Sequence, residues 1–193
     1  VQDATVVVAS SARPFLVAAR FAADPRATLV VAAGEEAADT FARTVGAFVG
    51  EERVLRLPDY EGNPFSLDAP PQPRLHGRRL EALWSLQQGK PAVVVASARA
   101  LLRRIAPAKE EVARPLALVA GSDLSEEPQR GIACFEDLEH CLVSMGYENS
   151  GKLDGPGTFS VQGGAIDVFP GNLAYPVRLD FFGDELDEIR RFL

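Results

Sequence analysis

The chain has 193 residues, 47% of them hydrophobic and 24% charged, with a mean hydropathy of zero. That balance excludes a disordered or fibrous chain, and no apolar run reaches the ~18 residues a membrane helix needs. A formal charge of −7, with Lys90, Lys109 and Lys152 the only lysines, argues against a dedicated nucleic-acid clamp, because phosphate binding rests on Lys and Arg.

In chain order, Thr5–Ala9 (TVVVA) is a β-branched run that predicts a strand buried on both faces of a parallel sheet. Pro14 suits the first turn of a helix over Phe15 to Ala23. Thr28–Ala32 (TLVVA) predicts a second buried strand. Beyond Gly34, apolar residues at Ala38, Phe41, Val45 and Phe48 have helical spacing, and Val54–Leu57 is a short third strand. Pro58 to Pro73 is rich in Pro, Asp and Asn and reads as a loop. A helix from about Arg74 to Gln88 follows, then a buried strand at Ala92–Ala96 (AVVVA). Ser97 is placed to cap a helix whose stripe is Ala98, Leu101, Leu102 and Ile105 and which Pro107 ends.

Character changes near residue 110. Leu116–Ala120 predicts a strand, and Phe135, Leu138, Leu142 and Met145 mark an amphipathic helix that Gly146 can cap. After the turn from Gly151 to Gly157 the pattern is an antiparallel meander. Ala165–Phe169 turns through Pro170, Gly171 and Asn172 into Pro176–Phe182, and Gly183-Asp184 turns that strand into Leu186–Phe192. The expected organisation is an α/β domain over residues 1–110 with a parallel sheet, followed by a small α+β domain over residues 111–193. Val1 to Ala9 has neither a basic stretch nor a cleavage site, and without an initiator Met the chain reads as a piece of something longer.

Chemistry is sparse. The first strand–helix loop of a nucleotide-binding α/β domain needs glycines whose N–H groups wrap phosphates, and a Lys for charge. Here Ala9 to Phe15 has neither, and Pro14 removes one N–H, so no nucleotide or other cofactor is expected. No dinucleotide, zinc-protease or nucleophile-elbow motif occurs, and His76 lacks a Ser or Cys partner at a recognisable spacing. Catalytic residues and metal ligands are therefore not expected. The acidic run Asp180, Asp184, Glu185, Asp187 and Glu188 reads as solvated charge around a hairpin turn. Cys134 and Cys141, seven apart in one predicted helix, stand ~10 Å apart, beyond the ~7 Å limit for a disulfide, which fits a reducing cytosol. His140 beside Cys141 reads as a helix with one buried thiol.

The strand at Val177–Phe182 is more informative. Alternation puts Val177, Leu179 and Phe181 on one face and Arg178, Asp180 and Phe182 on the other. A Phe on the polar face either packs on a neighbouring element or stands exposed, and exposed beside Arg178 it has the make-up of an interface hot spot.

The run Phe159 to Pro170 (FSVQGGAIDVFP), followed by Pro176 to Arg190 (PVRLDFFGDELDEIR), closely resembles the segment shared by the transcription-repair coupling factors and the excision-repair helicase UvrB. Weaker likeness continues through Leu57 to Glu61, Arg79 to Leu83, Val93 to Ser97 and Gly146-Tyr147. The coupling factors are favoured, because UvrB keeps a working phosphate loop at its first strand–helix turn, whereas Ala9 to Phe15 looks like that loop decayed. UvrB also carries an aromatic-rich DNA-inserting hairpin, whereas Tyr60 to Pro73 is short and has only Tyr60 and Phe65. The resemblance implies a helicase-like domain that has lost ATP binding, then a small domain that docks onto the damage-recognition ATPase UvrA. It also implies a cytoplasmic parent that binds RNA polymerase and translocates on DNA through its other domains. In that resting parent, a C-terminal domain would cover the UvrA-binding face. The alternative it carries is a UvrB-type segment that binds ATP and damaged DNA. The family's contact positions fall on Arg178, on Phe182, and on Gln162, where the family usually has an Arg. Gln162 lacks that charge and bidentate donor.

Overall fold

Strands that cannot alternate polar and apolar residues must be covered on both faces, and this chain builds its first sheet around one of them. The computed structural model describes residues 5–60, 72–104, 114–126 and 130–192. They fall into two units, Val1–Ser66 with Arg78–Ala113, and Leu67–Gly77 with Arg114–Leu193. The fold is mixed α/β, with a three-stranded parallel sheet in the first unit and a separate six-stranded mixed sheet in the second, as the sequence predicts.

In the first unit, β1 (Thr28–Ala32) and β2 (Val54–Leu57) flank β3 (Val93–Ser97), giving the order β1-β3-β2. All five residues of β3 are buried. One face packs Val93 and Val95 against Ala18 and Phe21 of α1 (Arg13–Ala23) and Ala38, Ala42 and Val45 of α2 (Glu35–Val49). The other packs Val94 and Ala96 against Ala82 of α3 (Pro73–Gln87) and Ala100 of α4 (Ala98–Leu101). The Ser97 hydroxyl accepts the Ala100 N–H at 3.0 Å and so caps α4.

Three expectations for this unit need correction. Thr5–Ala9 is not a strand, and Val6 and Val7 are exposed, Val7 to 94%. Valine favours a strand only when a neighbour supplies a pleated surface, and among the described residues none pairs there. Thr28–Ala32 is a strand but is half-buried on one face only; Leu29 and Val31 are exposed, because α3 and α4 cover the β2 side of that face and β1 is the sheet edge. The stripe after Ser97 faces no core. Its helix is a single turn in which only Ala100 is buried, while Leu102 is exposed. Ile105 and Pro107, and most of the predicted loop from Pro58 to Pro73, lie outside the described residues.

The second unit has the sheet order β4-β9-β8-β7-β6-β5, from β4 (Ser122–Asp123), β5 (Glu148–Asn149), β6 (Thr158–Gln162), β7 (Ala165–Val168), β8 (Val177–Phe182) and β9 (Glu185–Arg191). The four strands β6 to β9 are the predicted meander. The sheet as a whole is mixed, because β5 joins β6 in parallel. Leu116–Ala120 is not a strand: Leu116 and Leu118 do turn toward the core, but ladder bonding to β9 begins only at Ser122. One helix, α5 (Phe135–Ser144), lays Leu138, Cys141 and Leu142 on the sheet against Phe159, Ile166 and Leu179. Gly146, at φ +88°, ends it as expected, with its N–H on Val143 O and the Tyr147 N–H on Leu142 O. The first turn of α3 meets the loop after β7 backbone to backbone. A Cβ on Gly77 would lie 2.5 Å from Asn172 N, and one on Gly171 would collide with Pro73 O.

Candidate functional site

Two short turns fix which side chains share a surface in the meander. Gly163-Gly164 joins β6 to β7 and sets Gln162 opposite Ala165; Gly183-Asp184 joins β8 to β9 and sets Phe182 opposite Glu185. The inward rows are Phe159 and Val161, Ile166 and Val168, then Val177, Leu179 and Phe181. Phe181 closes this side with an edge-on contact to Phe135, ring centroids 5.2 Å apart. The outward rows follow from the register: Ser160, Asp167, Arg178 and Arg190 run across the sheet, and beside them Gln162, Ala165, Asp180 and Glu188. The irregularity between Asp180 and Phe181 gives β9 one extra residue and leaves the alternation of β8 intact, so Phe182 stays outward.

The three residues singled out from the sequence thus lie on one face. Among the described residues Phe182 is 83% exposed, so no described element packs over it. Gln162 is exposed at the end of β6. Arg178 is held in place: its Nε donates to Asp167 Oδ1 and its Nη2 to Asp167 Oδ2, both at 2.6 Å, and its guanidinium carbon sits 5.8 Å from the centroid of the Phe192 ring. Asp167 raises the Arg178 pKa further above its ordinary value, first by these hydrogen bonds and then by its charge. Arg190 is tied to Asp180 by two bonds to a single oxygen, at 3.0 and 2.6 Å. Sequence reasoning missed Asp167 and Phe192. Alternation shows that Asp167 points outward, but only the register reveals that it faces Arg178.

Asp184, read as turn charge, has a structural task. Its Oδ1 accepts the Phe135 N–H at 2.8 Å and its carbonyl accepts the Leu124 N–H, fastening the start of α5 to the β8–β9 turn. Cys134, Glu136 and Asp184 place ligand-type atoms within 4.8 Å of one another. They surround a helix N-terminus, where the partial positive charge opposes a cation. The Cys134 thiol is pushed up: a backbone bond from Asp137 favours the thiolate, but the Asp137 carboxylate, burial and Glu136 together outweigh it. Both cysteines are free.

In the first unit, Ser10–Ala12 makes a 3₁₀ turn straight into α1, and Pro14 is buried. Polar density lies instead at the ends of β2 and β3. Asp59 is 4% exposed and accepts from Arg103 Nε at 2.5 Å and from Arg99 Nε. Burial alone would raise its pKa, but the bonds from Arg103 and Arg99 prevail and hold it below the ordinary value. Arg79, also buried, donates to Pro58 O at 2.5 Å and to Ala100 O at 3.3 Å and lies over the Tyr60 ring. These bonds fasten the chain leaving β2 to α3 and α4, which is the work of a fold lock.

Residues 132–193 match the family model of the UvrB interaction domain, and Gln162, Arg178 and Phe182 lie within that match. Over nearly its whole length the chain is similar to transcription-repair-coupling factors. Identity to the protein of Myxococcus xanthus is 40% over 176 residues, covering 86% of this chain and 14% of that protein. Identity to the protein of Mycobacterium bovis is 34% over 197 residues, covering 98% and 15%. For Bacillus subtilis it is 34% over 120 residues, covering 62% and 9%. The resemblance read from the residues is borne out, and the chain spans about one seventh or less of the relatives it matches. Among the described residues no helix is long and apolar enough to cross a membrane.

Proposed function

We propose that this chain is a non-catalytic docking module that binds UvrA and thereby brings nucleotide excision repair to RNA polymerase stalled at a lesion. One observation carries the reading: within the match to the UvrB interaction domain, an exposed Phe182 and a fixed Arg178 share the outward face of one strand, with Asp180 between them and Gln162 on the same sheet face. Exposed aromatic and Arg side chains are the residues that dominate binding energy at interfaces. The lack of Gly and Lys between Ala9 and Phe15 supports a module without ATP binding of its own. ATP-driven translocation on DNA and the contact with RNA polymerase then belong to other parts of a longer cytoplasmic protein. A C-terminal domain of that protein covers the Phe182 face at rest.

Calorimetric titration of the chain with purified UvrA tests the reading. Saturable binding is expected, and Phe182→Ala should weaken it about 30-fold, the effect of a hot spot of about 2 kcal/mol. The same change should leave unfolding free energy within about 0.5 kcal/mol. A folded chain that does not bind UvrA overturns the proposal. Saturable binding of a fluorescent ATP analogue would restore the UvrB-type helicase reading.

A further inference from the structure

We infer that Asp167 is a positioning residue for the partner contact: it grips one edge of the Arg178 guanidinium so that the opposite N–H edge stands ready for a carboxylate on the partner. This rests on reading the Phe182 face as the docking surface and adds how that surface is prepared and what it recognises.

Asp167 lies on β7, directly across the ladder from Arg178, and is only 7% exposed. Each of its oxygens takes one bond, from Nε and from Nη2, so the guanidinium plane is fixed in direction as well as place. The Phe192 ring adds a further restraint on the same group. A guanidinium has five N–H donors in a rigid fork. With Nε–H and one Nη2–H occupied, the remaining Nη2–H and the Nη1 pair form the free edge, and among the described residues nothing accepts from it. Two parallel N–H groups match the two oxygens of a carboxylate. The neighbouring pair is a useful contrast. Both Arg190 bonds go to one oxygen of Asp180, and the Arg190 side chain is half exposed, so its direction is less fixed.

Charge and positioning predict opposite signs. Asp167 neutralises Arg178, so if charge alone set affinity for an acidic partner, removing the Asp167 charge would strengthen binding. If Asp167 positions the fork, removal weakens it. Titration of UvrA with the Asp167→Asn chain should therefore show affinity lowered about 10-fold. In an Arg178→Ala background, the same change should have no further effect, because a positioning residue acts only through the group it positions. Binding by Asp167→Asn that is equal to or tighter than wild type overturns the inference. So does a similar additional loss in the Arg178→Ala background, which would mark a structural role. Should Asp167→Asn not fold, the wild-type chain still decides: its Arg178 Nε–H should give a resolved NMR signal that exchanges slowly with water. A signal like free arginine overturns the inference. Failure of wild type to bind UvrA overturns the reading of the face itself, whereas binding that survives Asp167→Asn overturns positioning alone.

Discussion

The three-stranded sheet of the first unit and the six-stranded sheet of the second use ion pairs for different ends. Helices cover both faces of β3, so the polar groups near it are drawn inward: Asp59 is almost inaccessible, and Arg103, Arg99 and Arg79 fasten the segment after β2. The second sheet has α5 packed on one side, and the ion pairs of its other side run across the ladder: a buried Asp167 holds the partly exposed Arg178, and Asp180 holds the half-exposed Arg190. A parallel sheet covered on both faces has its side chains committed to packing, whereas an antiparallel meander covered on one face keeps a row for a partner. Among the described residues the first unit has exposed apolar groups, such as Leu29, Val31 and Leu102, but in the second the exposed Phe182 shares its strand face with an oriented cation.

The core of the second sheet is where a single substitution should cost most. Phe159→Ala should cost about 4 kcal/mol in denaturant unfolding, because Phe159 is fully buried; a loss below about 1 kcal/mol would show that α5 and the meander do not share one core. Next comes the lock in the first unit. Asp59→Asn should cost about 2 kcal/mol at neutral pH, since two arginines lose their shared carboxylate; the usual cost of breaking a buried pair is discounted for the exposure of Arg99. Its folded pKa is depressed, so its contribution is complete above the unfolded carboxylate value and disappears as pH falls through the folded one. Wild type should therefore lose stability more steeply below about pH 4 than Asp59→Asn, measured by urea midpoints across pH. A smaller effect sharpens the contrast at the docking face. Gln162→Arg should tighten UvrA binding roughly 5-fold in the same calorimetric titration by restoring a charged donor at the edge of β6. Smallest of all, Arg190→Ala should leave the urea midpoint unchanged, as exposed pairs contribute little.

Much of the fold was legible because its signals are local. The continuous apolar run of β3, the Ser97 cap, the Gly146 stop and the two-residue turns after β6 and β8 each depend on a few neighbouring residues. What was not legible depends on partners. Thr5–Ala9 has the composition of a strand, yet pairing needs a neighbour; Leu29 and Val31 read like core, yet β1 is an edge. For the candidate site, alternation gave the shared direction of Arg178 and Phe182, and the resemblance gave Gln162. The Asp167 grip is non-local, because it requires the register across the loop from Pro170 to Pro176. Nor does helical periodicity carry any sign that the first turn of α3 meets that loop.

That last contact has an evolutionary consequence. At Gly77 and Gly171, far apart in sequence, any side chain would strike main-chain atoms of the facing segment, which have no rotamer by which to yield. Neither position is free to drift, and a change at one cannot be rescued by a smaller residue at the other, since both are already glycine. In a collection of diverged homologues these two columns should stay invariant, even where the surrounding loop varies in length and charge, because the constraint comes from the closeness of two backbones.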